Sequence, residues 1–140
     1  MKSFTSIGRI FGGGLGASAV VKGNPTVNIN EVIGANATAT STYAGTTITL
    51  SDNTSVALPA HESGKIGAIG TVFGGGNAAK VVGNTNVNIG TETTVVFESP
   101  ETASLADRTK TVVGVDIRNN VFGGGNAADV TGNTNVVVGK

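Results

Sequence analysis

The sequence predicts an all-β fold, a right-handed parallel β-solenoid (β-helix) punctuated by glycine and asparagine, with a β-sandwich-like stack as the alternative. Three observations predict it. Val-Phe-Gly-Gly-Gly-Asn-Ala-Ala occurs at residues 72–79 and again at 121–128, and a degenerate copy opens at Ile10-Phe11-Gly12-Gly13-Gly14. Each copy then runs into one closing phrase: Gly23-Asn24-Pro25-Thr26-Val27-Asn28-Ile29, Gly83-Asn84-Thr85-Asn86-Val87-Asn88-Ile89 and Gly132-Asn133-Thr134-Asn135-Val136-Val137-Val138. Self-similarity on this scale marks arrays whose units bury an apolar face on a neighbour because none can do so alone. Finally, 22 glycines and abundant Val, Ile, Thr and Asn, with only 4% aromatics, favour strands and tight turns over helices.

The elements follow from the phrase itself. In the middle copy Val72-Phe73 reads as a strand, and Gly74, Gly75, Gly76 and Asn77 as a turn. Lys80-Val81-Val82 is a second strand, Gly83-Asn84 a second turn and Asn86-Val87-Asn88-Ile89 a third strand. The last copy repeats this with Gly123, Gly124, Gly125 and Asn126 in the turn and Asn133 at the corner. Alternation along 86–89 sends Val87 and Ile89 to one face and the asparagines to the other. Stacked in register, Val and Ile would fill a narrow interior, Asn and Thr would form hydrogen-bonded ladders outside or at corners, and Phe11, Phe73 and Phe122 would form a core stack.

The copies, at about 7–30, 69–90 and 117–139, are separated by inserts at 31–68 and 91–116 within a single repeat domain, 1–140. Segments 46–50, 55–58, 94–97 and 111–113 of the inserts also have strand character, which predicts about five or six coils of roughly 20–25 residues. Residues 34–44, rich in Ala, Thr and Ser, predict a projecting loop. Ser99-Pro100-Glu101 offers a cap, a proline and an acidic first turn, so 99–108 reads as a short helix or an excursion loop. A repeat copy lies close to each terminus without a polar capping segment, so the chain reads as a piece of a longer array.

Charge narrows the partners. Nine basic and nine acidic residues balance with no block of like sign, which argues against nucleic acid. No apolar run is long enough for a membrane-spanning helix, so no membrane insertion is expected. The first residues lack the unbroken apolar stretch of a signal peptide, with Arg9 standing inside it. Having no cysteine, the chain has no disulfides, thiolate metal sites or cysteine nucleophile.

The chemical motifs read mainly as structure. A triple glycine can let backbone amides cradle a phosphate, but no capped helix and no Gly-Lys-Ser/Thr ending follows Gly76, so it reads as a turn. Calcium needs six to eight oxygens and usually carboxylates. The repeats supply Asn77 and Asn126 but only Asp129 as an acid, with Lys80 at the matching position, so calcium at low affinity is the one cofactor weighed and none is expected. His61, the single histidine, reads as a solvated loop residue with no triad partners. Asp116 and Arg118 are two apart, on one strand face, and read as a surface ion pair. A polysaccharide-binding or polysaccharide-cleaving β-helix would require Asp116, Arg118, Glu98 and His61 to converge on one groove. Aromatic platforms for sugar are scarce, since Tyr43 is the sole tyrosine and tryptophan is missing. No catalytic, cofactor-binding or metal-ligating set is expected, and the chain reads as a non-enzyme.

The phrases at 69–79 and 121–134 resemble repeat regions of very large, adhesin-like cell-surface proteins of gut anaerobic bacteria, over about half the chain. That resemblance implies an extended extracellular β-structure, acting as a stiff spacer or a multivalent attachment surface for host or microbial glycans or glycoproteins. Self-association into filaments is the remaining alternative, since uncapped solenoid ends would expose strand edges. The first copy departs from the pattern by two extra residues before Gly23 and by Pro25 in place of Thr, which puts its register in question.

Overall fold

A computed structural model describes residues 6–32, 42–62, 67–91, 94–96 and 109–139. Among these, the chain is all-β with no helix. The first half forms β1 (Ser6–Phe11), β2 (Val21–Lys22), β3 (Thr26–Ile29), β4 (Glu31–Val32), β5 (Thr46–Thr49), β6 (Ser55–Leu58) and β7 (Ala68–Phe73). There follow β8 (Val81–Val82), β9 (Thr85–Ile89), β10 (Thr94–Val96), β11 (Thr109–Gly114), β12 (Asp116–Ile117), β13 (Val121–Phe122) and β14 (Thr134–Val138). The predicted loop at 34–44 lies mostly outside the described residues, and the helix or excursion at 99–108 lies wholly outside them.

The three repeat copies pair with one another, in parallel and in chain order. β1 pairs with β7, which pairs in turn with β12 and β13. β3 pairs with β9 and β9 with β14, and β2 pairs with β8, which bridges onward through Val81 to Val130. The sheets are therefore open and mostly parallel. The register matches the phrases residue for residue: Phe11 with Phe73 and Phe73 with Phe122, Val27 with Val87 and Val87 with Val136. In the first copy, Ala17 and Ser18 are absorbed by a local turn in which Ala19 N donates to Gly16 O at 3.0 Å, and pairing resumes at Val21 with Val81. Pro25 keeps its place too, its carbonyl accepting from Asn86 N at 3.0 Å. It cannot supply the bond that Thr85 N gives to Asn133 O at 2.9 Å one layer on.

The core follows from the alternation. Along β9, Thr85, Val87 and Ile89 are buried while Asn86 and Asn88 are partly exposed. Val27, Ile29, Ile69, Val72, Val87 and Ile89 form the buried cluster, with Ile7, Ile10, Val115, Ile117 and Val121 packed against it. The middle copy is covered on both sides, so burial concentrates there, and each fully buried Val or Ile contributes about 1.5–3 kcal/mol.

The inserts do not add layers to this parallel stack. β5 and β6 form an antiparallel hairpin, and β10, β11 and β4 an antiparallel sheet. The hairpin has a local cause: Asn53 takes a left-handed φ of 62° and Leu50 N donates to Thr54 O at 2.8 Å, reversing the chain. Asp52 locks that reversal, its carboxylate accepting from Thr54 N at 3.0 Å and Thr54 Oγ1 at 2.6 Å. Those bonds hold the Asp52 carboxyl below the ordinary carboxylate range. The hairpin then covers the outer side of β1, where Arg9 Nη2 donates to Ser55 O at 3.0 Å and Ser6 Oγ to Pro59 O at 2.6 Å.

Candidate functional site

The repeated turn is where sequence, geometry and packing meet. Gly12 N donates to Phe73 O and Gly74 N to Phe122 O, at 3.0 and 2.8 Å. Gly13 N bonds Gly75 O as Gly75 N bonds Gly124 O; Gly16 N bonds Asn77 O as Ala78 N bonds Asn126 O. In return Asn77 N donates to Gly14 O and Asn126 N to Gly76 O, both at 2.9 Å. The contact between the first and second copies is thus made again, atom for atom, between the second and third.

Glycine is required here by close approach. A Cβ on Gly75 would lie 2.7 Å from Gly125 N and 2.8 Å from Gly125 Cα, well inside any real carbon contact and against backbone that has no way to yield. Beside it sits a strained position. Ala78 and Ala127 both hold φ of 55°, where the first copy has Gly16 at 83°. A left-handed L-residue costs about 1–2 kcal/mol, and the added chain freedom of glycine about 0.5–1 kcal/mol. Ala78→Gly is therefore expected to stabilise the chain by about 0.5–1 kcal/mol. Urea unfolding checks this; a loss of stability would contradict the strain reading.

Asparagines join the layers at three places, and at the corner they run through all three. At the corner, Asn24 Oδ1 accepts from Asn84 N and Asn84 Oδ1 from Asn133 N, each at 2.8 Å. On the turn and on the strand, Asn126 Nδ2 donates to Asn77 Oδ1 and Asn88 Nδ2 to Asn28 Oδ1, again at 2.8 Å. The aromatic positions stack as expected, with ring centroids 4.8 Å apart for Phe11 and Phe73 and 5.0 Å for Phe73 and Phe122. Only Phe73 is buried, however, and Phe122 is 44% exposed, so the stack ends in solvent rather than lying wholly in the core. Thr85 was not singled out by the sequence reading; it is fully buried and its hydroxyl donates to Gly123 O. The threonine shared with Thr134 in the closing phrase was the available signal.

The candidate acid–base residues sit in different settings. Asp116 and Arg118 make a surface ion pair, Nε lying 2.7 and 2.8 Å from the two carboxylate oxygens and Nη2 2.7 Å from Oδ2. The hydrogen bond and charge of Asp116, with a lesser contribution from Glu62, raise the guanidinium pKa further. His61 is not a solvated loop residue: it is 3% exposed, because its backbone pairs with Tyr43 in both directions at 2.8 Å and draws the side chain inward. Glu98 lies outside the described residues. The pair is thus exposed to solvent and the histidine buried. Among the described residues no group of three or more His, Asp or Glu is placed to hold a metal ion. Asp129 does not recur up the stack, since Lys80 takes its place.

Between β1 and the hairpin lies a shallow cleft of about 250 Å³, lined by Arg9, Phe11, Ile48, Leu50, Val56 and Leu58. Arg9 is engaged with Ser55 O and contributes to lowering Asp52, so its charge is partly answered within the hairpin. No helix among the described residues is long and apolar enough to cross a membrane. No family model, curated protein or solved structure matches the chain.

Proposed function

We propose that the chain is a structural repeat module of a bacterial extracellular surface protein, a right-handed parallel β-solenoid used as a stiff spacer with lateral attachment surfaces. The observation that carries this reading is the duplicated interface: the same backbone hydrogen bonds, the corner asparagine ladder and the ring stacking join copy one to copy two and copy two to copy three. Ring spacings of 4.8 and 5.0 Å are those of neighbouring strands, so each coil advances the axis by one strand separation. Right-handedness follows from the near-universal hand of parallel crossover connections. Asparagine side chains at the corner help hold the stack, and the inserts fold as antiparallel sheets, one of them a hairpin over β1. The surface location rests on the resemblance of the FGGGN-type phrases.

Attachment would work by avidity, many weak contacts from successive inserts adding along a stiff axis. The test is an array of glycans and glycoproteins probed with the purified chain, with calcium and with chelator, alongside a polysaccharide panel assayed for released product. Saturable binding without product release is expected, unchanged by chelator. Release of product would overturn the structural reading in favour of a carbohydrate-cleaving β-helix.

A further inference from the structure

The cleft between β1 and the hairpin is walled by Phe11, Ile48, Leu50, Val56 and Leu58, and two hydrogen-bond donors, Arg9 and Asn77, also line it. Ile48 and Leu50 are 40% and 37% exposed, so the apolar wall is open to solvent. At about 250 Å³ the cleft falls just short of the usual ligand pocket of about 300–1,000 Å³, which limits it to a small molecule.

Both donors have capacity left. Arg9 is half-buried and gives Nη2 to Ser55 O at 3.0 Å, which leaves Nε and Nη1 without a hydrogen bond among the described residues. Its charge forms no ion pair there, and of the influences that lower the Asp52 carboxyl its own is the least, because Asp52 is held first by Thr54. For Asn77 the reason lies in the repeat. Asn126 Nδ2 donates to Asn77 Oδ1, and one layer back the same column would pass Asn77 Nδ2 to another side-chain oxygen. Leu15 stands at that position, bridged to Asn77 through the backbone and carrying no acceptor on its side chain. The asparagine column therefore ends on an unused amide N–H in the wall of the cleft.

We propose that this cleft binds a small carboxylic acid with an apolar body, its carboxylate taken by Arg9 and Asn77 and its body laid against Ile48, Leu50 and Val56. A guanidinium matches the planar fork of a carboxylate, and hydrogen bonds between charged groups are roughly twice as strong as neutral ones. Apolar walls with a few placed polar groups are the ordinary composition of a small-molecule site. A neutral sugar would leave the Arg9 charge unanswered, so this site is distinct from the glycan attachment proposed above, and either can fail without the other.

Titration of the isotope-labelled full chain with hexanoate, followed by amide NMR shifts, tests it, with hexan-1-ol and acetate as probes that keep only the body or only the charge. Saturable shifts centred on Arg9, Ile48, Leu50 and Asn77 are expected for hexanoate, with both other probes at least tenfold weaker. Arg9→Met should weaken hexanoate at least tenfold and bring it level with hexan-1-ol. Ile48→Ser, at an exposed position, should weaken it several-fold and makes the same test should the first variant lose its fold. No saturation by hexanoate, shifts centred elsewhere, equal binding of hexan-1-ol, or a folded variant that binds hexanoate as before would overturn the proposal.

Discussion

Gly75→Ala destabilises the chain by about 3 kcal/mol, while Gly124→Ala, at the same position of the phrase, changes stability by less than about 0.5 kcal/mol. The difference comes entirely from the neighbouring layer. At Gly75 the new methyl is forced to 2.7 Å from Gly125 N, and relief would need two backbones to part, breaking the bond from Gly75 N to Gly124 O. At Gly124 nothing stands within 4 Å, and its φ is not in the left-handed range. Propensity alone would treat both substitutions alike. Equal effects in urea unfolding would mean that the layers are not in backbone contact.

Ile69→Ala is the second large effect, about 2–5 kcal/mol. Ile69 is fully buried in β7, with Ile7 as its partner on one side and Ile117 on the other. Both neighbours belong to pleated strands pinned by their own ladders, so the space left by the deleted atoms has little means to collapse. Val138→Ala removes two methyl groups from a residue 71% exposed and should cost under about 0.5 kcal/mol. A small Ile69 effect, measured by thermal unfolding, would show that the middle copy is not the core.

What could be read from sequence was what the phrase itself encodes. The Gly-rich turn, the Gly-Asn corner and the alternation over Thr85–Ile89 each specify local backbone, and their repetition specifies register. The asparagine ladders and the ring stack follow from that register. The inserts were harder for a physical reason: the β5 and β6 segments have strand character whichever direction their partner runs. Their direction is decided by the reversal at Asp52, Asn53 and Thr54, a feature of three residues outside the repeat. The same reversal lays a hairpin over β1, so the first layer is covered where sequence suggested an uncapped end. His61 illustrates the limit from another side, since its burial depends on pairing with Tyr43 across the insert and nothing adjacent to it in sequence signals this.

Spin exchange between nitroxide labels at Lys22→Cys and Val82→Cys tests the parallel, in-register layers most directly. The positions are register partners in β2 and β8, both exposed, and the chain has no other cysteine to confuse the labelling. Strands in register hold such labels about 5 Å apart, close enough for strong exchange. The account predicts a single collapsed line for the double-labelled chain and ordinary three-line spectra for each single label. A double-labelled spectrum equal to the sum of the two singles would contradict it.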